Sequence, residues 1–195
     1  MGILIRQLSQ AERPALARHL LALGQDDRRL RFGALLNDAS ISRYAEGIDF
    51  TQDAVFGVTD DELHLLGAAH LARSSGHAEL GVSVLAGHRG QGIGGALLER
   101  AHLHARNWGV RELFMHCLSE NRQMLHLARK HGMEVVAASG EADAWLKLAP
   151  ADAASHFGAV FAQRVALWDF ALKSQSALAR RLAEALAPSP ASPSR

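Results

Sequence analysis

The stretch Gly87–Leu97, GHRGQGIGGAL, holds five glycines in eleven residues and runs directly into a helical pattern. Bare backbone at a helix start has a physical use. The first amides of a helix have no partner within it, and they point outward with the positive end of the helix dipole. Glycines let an anion approach those amides without side-chain obstruction. The stretch therefore reads as a phosphate loop, and it fits two phosphate patterns at once. Gly90, Gly92 and Gly95 fill G-x-G-x-x-G, a dinucleotide fingerprint. Arg89, Gly92 and Gly94 fill R-x-x-G-x-G.

The surrounding sequence separates the two. Upstream, DAVFGVTDDELHLLGAAHLARSSGHAELGVSVLAGH carries strand patterns at Ala54–Val58, Leu63–Leu71 and Ala78–Leu85. The turns Thr59-Asp60-Asp61 and Ser74-Ser75-Gly76 divide them, which predicts antiparallel hairpins. A dinucleotide loop instead makes a tight turn at the opening of a doubly wound sheet. Here the loop lies in mid-chain, and Ala86–Arg89 separates the strand from the first glycine of that pattern. The acid in the ribose position, Glu120, follows Gly90 by 30 residues, against about 20 in that fingerprint. The dinucleotide reading is therefore disfavoured.

Working outward, Gly2–Leu8 reads as a strand. Ser9 and Glu12 form a capping box with Pro14 in the first turn, and Leu16, Leu20 and Leu23 give the helix its apolar face before Gly24 ends it. LLNDASISRYAEGIDF reads as a second helix, with Ile41, Tyr44 and Ile48 on one side. Arg28, Arg29 and Arg31, beside Asp26 and Asp27, read as a solvated helix end. After the loop come a helix over Gly92–Trp108, a strand in VRELFMHCLS and a helix over Asn121–His131. The strands MEVVAAS and ADAWLKLAP follow, around Gly140. A strand, crossover helix and strand make a parallel unit, so the sheet is mixed. Ala151–Ala187 is alanine-rich and helical, broken at Ser174 or Ser176, with Phe157, Phe161, Val165, Trp168 and Leu172 as a buried stripe. These extra helices cover the sheet or form a homodimer interface. The tail PSPASPSR is expected to be disordered.

Composition limits the alternatives. The 195 residues carry 21 basic and 20 acidic side chains, which argues against a nucleic-acid partner. One cysteine, Cys117, excludes an internal disulfide and suits a reducing compartment. The opening apolar run is too short for a signal peptide, and no window approaches a membrane span. A soluble cytoplasmic protein is expected. No histidine set shares a helix face with a carboxylate, so no metal site is expected: His102 and His104, two apart, point to different sides. A central strand buries Cys117 readily, and it has no evident base partner.

The pattern Arg89-x-x-Gly92-x-Gly94, after AELGVSVL and before GALLERA, resembles the acyl-CoA loop of the GNAT superfamily of acetyltransferases. NRQMLHLARKHGM is similar to that superfamily's later helix through Asn121, Leu127, Gly132 and Met133. The element order agrees over about residues 3–149. The resemblance implies an α/β (α+β) fold with a mixed, mostly antiparallel twisted sheet flanked by helices. The expected units are an acetyltransferase domain at 1–149, a helical extension at 150–187 and a tail at 188–195. It implies two neighbouring parallel strands that splay apart, with the pantetheine arm of acetyl-CoA between them. By that likeness Val84 and Leu85 face the arm with their backbones. Gln91, Gly92, Ile93, Gly94 and Gly95 offer amides to the diphosphate. Arg89 bonds a phosphate or steadies the loop, and Asn121 bonds the arm or caps its helix.

The implied chemistry is direct acetyl transfer to an amine, on a small molecule or a protein lysine, with no metal. Glu79, at the start of the splaying strand and on the face opposite Leu80, Val82 and Val84, is the leading base. His116, Ser119 and His77 are weaker candidates, and Ser119 could protonate the leaving thiolate. Tyr44, Arg31 and Phe32 either touch the acceptor or pack. The superfamily's usual tyrosine after the helix leucine is replaced by Ala128, which is expected to face the cleft. That departure leaves a second reading, an acyl-CoA-binding regulatory or interaction module with little turnover.

Overall fold

The computed structural model describes residues 2–186, so the tail expected at 188–195 lies outside the described residues. Seven strands form one sheet: β1 (Arg6–Gln7), β2 (Ala54–Thr59), β3 (Leu65–Arg73), β4 (His77–Val84), β5 (Glu112–Leu118), β6 (Glu134–Ala138) and β7 (Glu141–Lys147). Their order is β1-β2-β3-β4-β5-β7-β6. Only β4 and β5 are parallel. Among the described residues there are six α-helices: α1 (Arg13–Leu21), α2 (Gln25–Phe32), α3 (Asp38–Gly47), α4 (Ile93–Asn107), α5 (Arg122–Lys130) and α6 (Ala153–Leu186).

The alternation of side chains along β2 explains the layers. Ala54, Phe56 and Val58 join a core under α4 and α5, with Leu97, Leu98 and Ala101 fully buried. Val55 joins the opposite core, under α1 and α3, with Leu16, Leu20 and Ile41. Burial on both faces is why this strand reads as a nearly continuous apolar run. The Ser9 cap forms as expected: its amide donates to Glu12 at 2.9 Å.

Several expectations need correction. The first strand is two residues long, because β1 meets β2 only at Arg6 and Gln7. The arginines expected at a solvated helix end belong to a separate helix, α2, where Arg28 and Arg31 are partly buried instead; no residue of α2 is fully buried, so no apolar stripe announces it. The C-terminal helix is unbroken over Ala153–Leu186. Ser174 is accommodated because its hydroxyl donates to the Phe170 carbonyl at 2.7 Å. The stripe expected to be buried is exposed instead, with Phe157 75% and Trp168 73% accessible. α6 rests on the fold through its other side, where Ala166 is buried and the guanidinium of Arg6 stacks on Phe170.

Candidate functional site

β4 and β5 pair over three positions only, His77–Glu79 with Glu112–Phe114. Beyond Glu79 they part. The register fixes what the parting exposes. Leu85 donates its amide to Leu66 of the β3 side at 2.9 Å, so residues two apart from it turn toward β3 as well. Val82 and Val84 therefore turn their backbone polar groups to the side that β5 has left. The expected pair Val84 and Leu85 becomes Val82 and Val84: Leu85 is committed to β3. Only the hairpin register, which the sequence does not print, distinguishes the two.

A cleft of about 690 Å³ fills the fork, walled by Val82–Val84, the glycine loop, α2 and α5. Gly92 caps α4 with φ +83°, and Gly90 has φ +74°. Both conformations suit glycine. Gly92, Ile93, Gly94 and Gly95 lie at the start of α4, where amides lack helical partners, and all four line the cleft. A methyl on Gly94 would contact Leu127 and Val84, both cleft residues. The bare backbone is thus a cradle that a side chain would fill. Gln91 is exposed at the loop tip, outside the cleft lining. Arg89 steadies the loop: it donates to the Val84 carbonyl at 3.3 Å and pairs with Asp27 of α2 at 2.5 Å. Asn121 caps α5 by accepting from the Met124 amide at 3.1 Å. Met124, Leu127 and His131 extend that side of α5 along the cleft.

Ala128 does not face the cleft. It is 1% exposed within the core under α4, and Leu127 lines the cleft in its place. One residue rotates a helix by about 100°, and that step separates lining from core. Glu79 is exposed on β4 at the apex of the fork, on the face shared with Gly81 and Ser83, and is itself outside the cleft lining. Ser119 sits in the turn after β5, its amide donating to the Gly140 carbonyl at 2.9 Å, and it does not line the cleft. His116 is engaged with Asp143 at 2.7 Å. Cys117 is buried, and burial together with the Asp143 charge pushes its thiol above the usual range.

Two networks escaped the sequence reading. Buried His19 of α1 contacts the Leu65 carbonyl and the Ser83 hydroxyl, each at 2.9 Å. A carbonyl only accepts, so Nδ1 carries the proton and Ser83 donates to Nε2. Burial lowers the His19 pKa. The second network begins at Arg31, which lines the cleft. Its Nη2 donates to the Tyr44 hydroxyl at 2.9 Å, Tyr44 meets His70 Nδ1 at 2.7 Å, and His70 Nε2 meets Asp53 at 3.0 Å. Burial holds His70 below the usual histidine range against the pull of Asp53. A neutral ring donates to the Asp53 carboxylate and accepts from Tyr44, so every proton in the chain has a defined place. Both networks join residues far apart in sequence, and no local spacing signals them.

In the β2–β3 turn, Asp60, Glu62 and His64 bring potential ligand atoms within 4.8 Å of one another. Asp60 already accepts there from the Glu62 and His64 amides at 3.0 and 2.7 Å, which is ordinary turn chemistry. Among the described residues, no helix is long and apolar enough to cross a membrane.

Comparison with known proteins agrees with this geometry. Residues 16–133 match the acetyltransferase (GNAT) family. The GNAT domain of a Streptomyces lividans protein, PAT, superposes with a TM-score of 0.64 at 19% identity, over 74% of this chain and 89% of that one. The protein yncA from Salmonella typhimurium, solved with its cofactor acetyl-CoA, gives 0.59 at 19% identity over 78% and 98%. A ribosomal-protein-alanine N-acetyltransferase from Brucella melitensis gives 0.57 at 21% over 74% and 99%. At these identities the likeness is one of fold. No curated protein is significantly similar in sequence.

Proposed function

Because the chain belongs to the acetyltransferase (GNAT) family, we propose that it moves an acetyl group from acetyl-CoA directly to a primary amine. The observation that carries this reading is the fork. Val82 and Val84 turn backbone that β5 does not pair toward the gap between β4 and β5, with Arg89 on the Val84 carbonyl, and the glycine cradle of α4 closes one end of the same cleft. An extended amide-bearing arm fits the strand edge, and a diphosphate fits the helix start.

When bound, acetyl-CoA supplies an activated thioester. The protein's own part is to hold and to move a proton. The amides of Gly92, Ile93, Gly94 and Gly95 hold the diphosphate, with Arg89 keeping the loop in shape through Asp27 and Val84. Val82 and Val84 hold the arm. Glu79, at the apex where the strands part, takes the proton that the attacking amine must lose. Ser119 lies away from the cleft lining, so the leaving thiolate draws its proton from solvent; a thiol pKa of about 8.5 makes that thiolate tolerable in water. The exposed apolar side of α6 supports self-association as a homodimer, which sedimentation at several concentrations checks.

Calorimetry with acetyl-CoA and with NAD, followed by single-turnover acetyl transfer to a broad amine panel, tests the reading. Saturable acetyl-CoA binding, no NAD response and transfer to an amine are expected. Tight binding without transfer to any amine assigns the chain to acyl-CoA sensing instead.

A further inference from the structure

Three arginines leave α2, and they have different fates. Arg28 pairs with Asp38 at 2.6 Å and Arg29 pairs with Glu120. Arg31 makes no ion pair among the described residues. It lines the cleft, and its buried Nε has no hydrogen-bond partner. A half-buried guanidinium without an anion is costly to keep, so its surroundings matter.

Those surroundings hold it rigidly. The guanidinium lies against Gly81 so closely that a methyl there would overlap it. Gly81 is not in a left-handed conformation, so the glycine serves the space above it and not the backbone. The rings of Phe32 and Tyr44 stand 5.0 and 5.6 Å from Cζ. The Tyr44–His70–Asp53 chain fixes Nη2 from behind. Nη2 is thus occupied by the protein and Nε is buried out of reach, which leaves Nη1, neither hydrogen-bonded nor buried, for a ligand.

The position is informative too. Glu79 and Gly81 share a face of β4, two residues apart. Arg31 therefore stands next to Glu79 at the apex of the fork. The glycine cradle is farther along: Gly81 to Val84 alone advances about 10 Å, and the loop follows. Glu79 makes no ion pair among the described residues either. One anion and one cation, neither in an ion pair among the described residues, stand near the apex of the fork, Arg31 in the cleft lining and Glu79 outside it.

We propose that the acceptor is a small zwitterionic aminocarboxylate, whose carboxylate is received by Arg31 while its ammonium group faces Glu79. This rests on the transferase reading above and adds the substrate class to it. Arg31 is a binding residue, and Tyr44, His70 and Asp53 position it.

The test uses matched pairs: an amino acid and its carboxamide, and an amino acid and its decarboxylated amine. Transfer rates and direct titration are both measured in the presence of coenzyme. The wild type is expected to favour the carboxylate member by tenfold or more, the scale of a charge-assisted contact. Arg31→Gln should bring the two members within about twofold, with acetyl-CoA affinity unchanged. Gly81→Ala, which crowds the guanidinium, should do the same. Equal handling of acid and amide by the wild type, in binding or in rate, overturns the proposal while leaving acetyl transfer intact. If Arg31→Gln loses acetyl-CoA affinity and keeps the carboxylate preference, the guanidinium serves a coenzyme phosphate and the proposal is wrong. A wild type that binds no acetyl-CoA refutes the transferase reading itself, and the titration arm still decides whether a carboxylate is preferred.

Discussion

Alanine at Gly92 and at Gly94 should move stability in opposite directions while both weaken coenzyme binding. Gly92 has φ +83°, and a methyl there would lie 3.5 Å from Ile3, an ordinary contact. Its cost is therefore conformational, about 1–2 kcal/mol for a left-handed L-residue. Gly94 is helical without a positive φ, and its added methyl would lie 3.6 Å from Leu127 and 3.9 Å from Val84. Replacing a helical glycine by alanine stabilises by about 0.5–1 kcal/mol. For a domain of this size, 1 kcal/mol shifts Tm by about 2–4 °C. Thermal unfolding without ligand should then show Gly92→Ala lower by about 2–8 °C and Gly94→Ala higher by about 1–4 °C. Calorimetry should show Gly94→Ala binding acetyl-CoA at least roughly tenfold more weakly, since its methyl enters the cradle. A Gly94→Ala protein that is more stable and binds as tightly as wild type would refute the assignment of the diphosphate to this loop. A destabilised one would refute the geometry on which the sign rests.

Glu79→Gln should lower kcat by about 10²-fold or more with acetyl-CoA affinity unchanged; a full rate in the purified variant makes Glu79 a surface carboxylate. Ala128→Tyr, made inside a packed core, should destabilise by about 1–3 kcal/mol without speeding transfer, and a faster, equally stable variant would return position 128 to the cleft. Burial and the Arg100 charge lower the His104 pKa to about 4, while its unfolded value is about 6.5. The unfolded chain therefore takes up the proton first, and stability is lost as pH falls from about 6.5 toward 4. The loss from pH 7 to pH 5 is about 1–2 kcal/mol. His104→Phe, between Phe56 and Trp108 at 5.2 and 4.7 Å, should lessen that slope in urea titrations by the share of His104, with buried His19 and His70 keeping theirs, and an unchanged slope would place the titration elsewhere.

The glycine loop and the hairpins before it were legible because their signals are local: glycine spacing, period-two alternation and turn residues. The same holds for Asn121 and Gly132, which bound α5. α2 was hidden because it has no fully buried residue and its partly buried ones, Arg31 and Phe32 among them, make no apolar stripe. Arg31 was visible as a basic residue but not as a cleft residue, since its place depends on Gly81, fifty positions later, leaving room for it. The stripe on α6 had the correct period and the wrong environment. Periodicity shows that a helix has an apolar side and leaves open whether this fold covers it. Leu127 and Ala128 are neighbours that lie on different faces of α5, and Val84 and Leu85 are neighbours that turn to opposite edges of β4, so a single position decides each assignment.

The parting of β4 from β5 also bears on solubility. A strand edge with free amides and carbonyls is a template on which foreign strands assemble, and proteins usually confine such edges to the rim of a sheet and blunt them there. This fold places one in the middle of its sheet. Its guards are local: the Arg89 side chain occupies the Val84 carbonyl and is itself tethered by Asp27, while α2 and α5 flank the opening. Removing a guard, as in Arg89→Ala, takes away little buried contact, so the melting temperature should barely move. What it releases is a sticky backbone edge. The damage should appear as concentration-dependent fibrillar or amorphous clumping on storage, seen by light scattering, in a protein whose fold is otherwise sound.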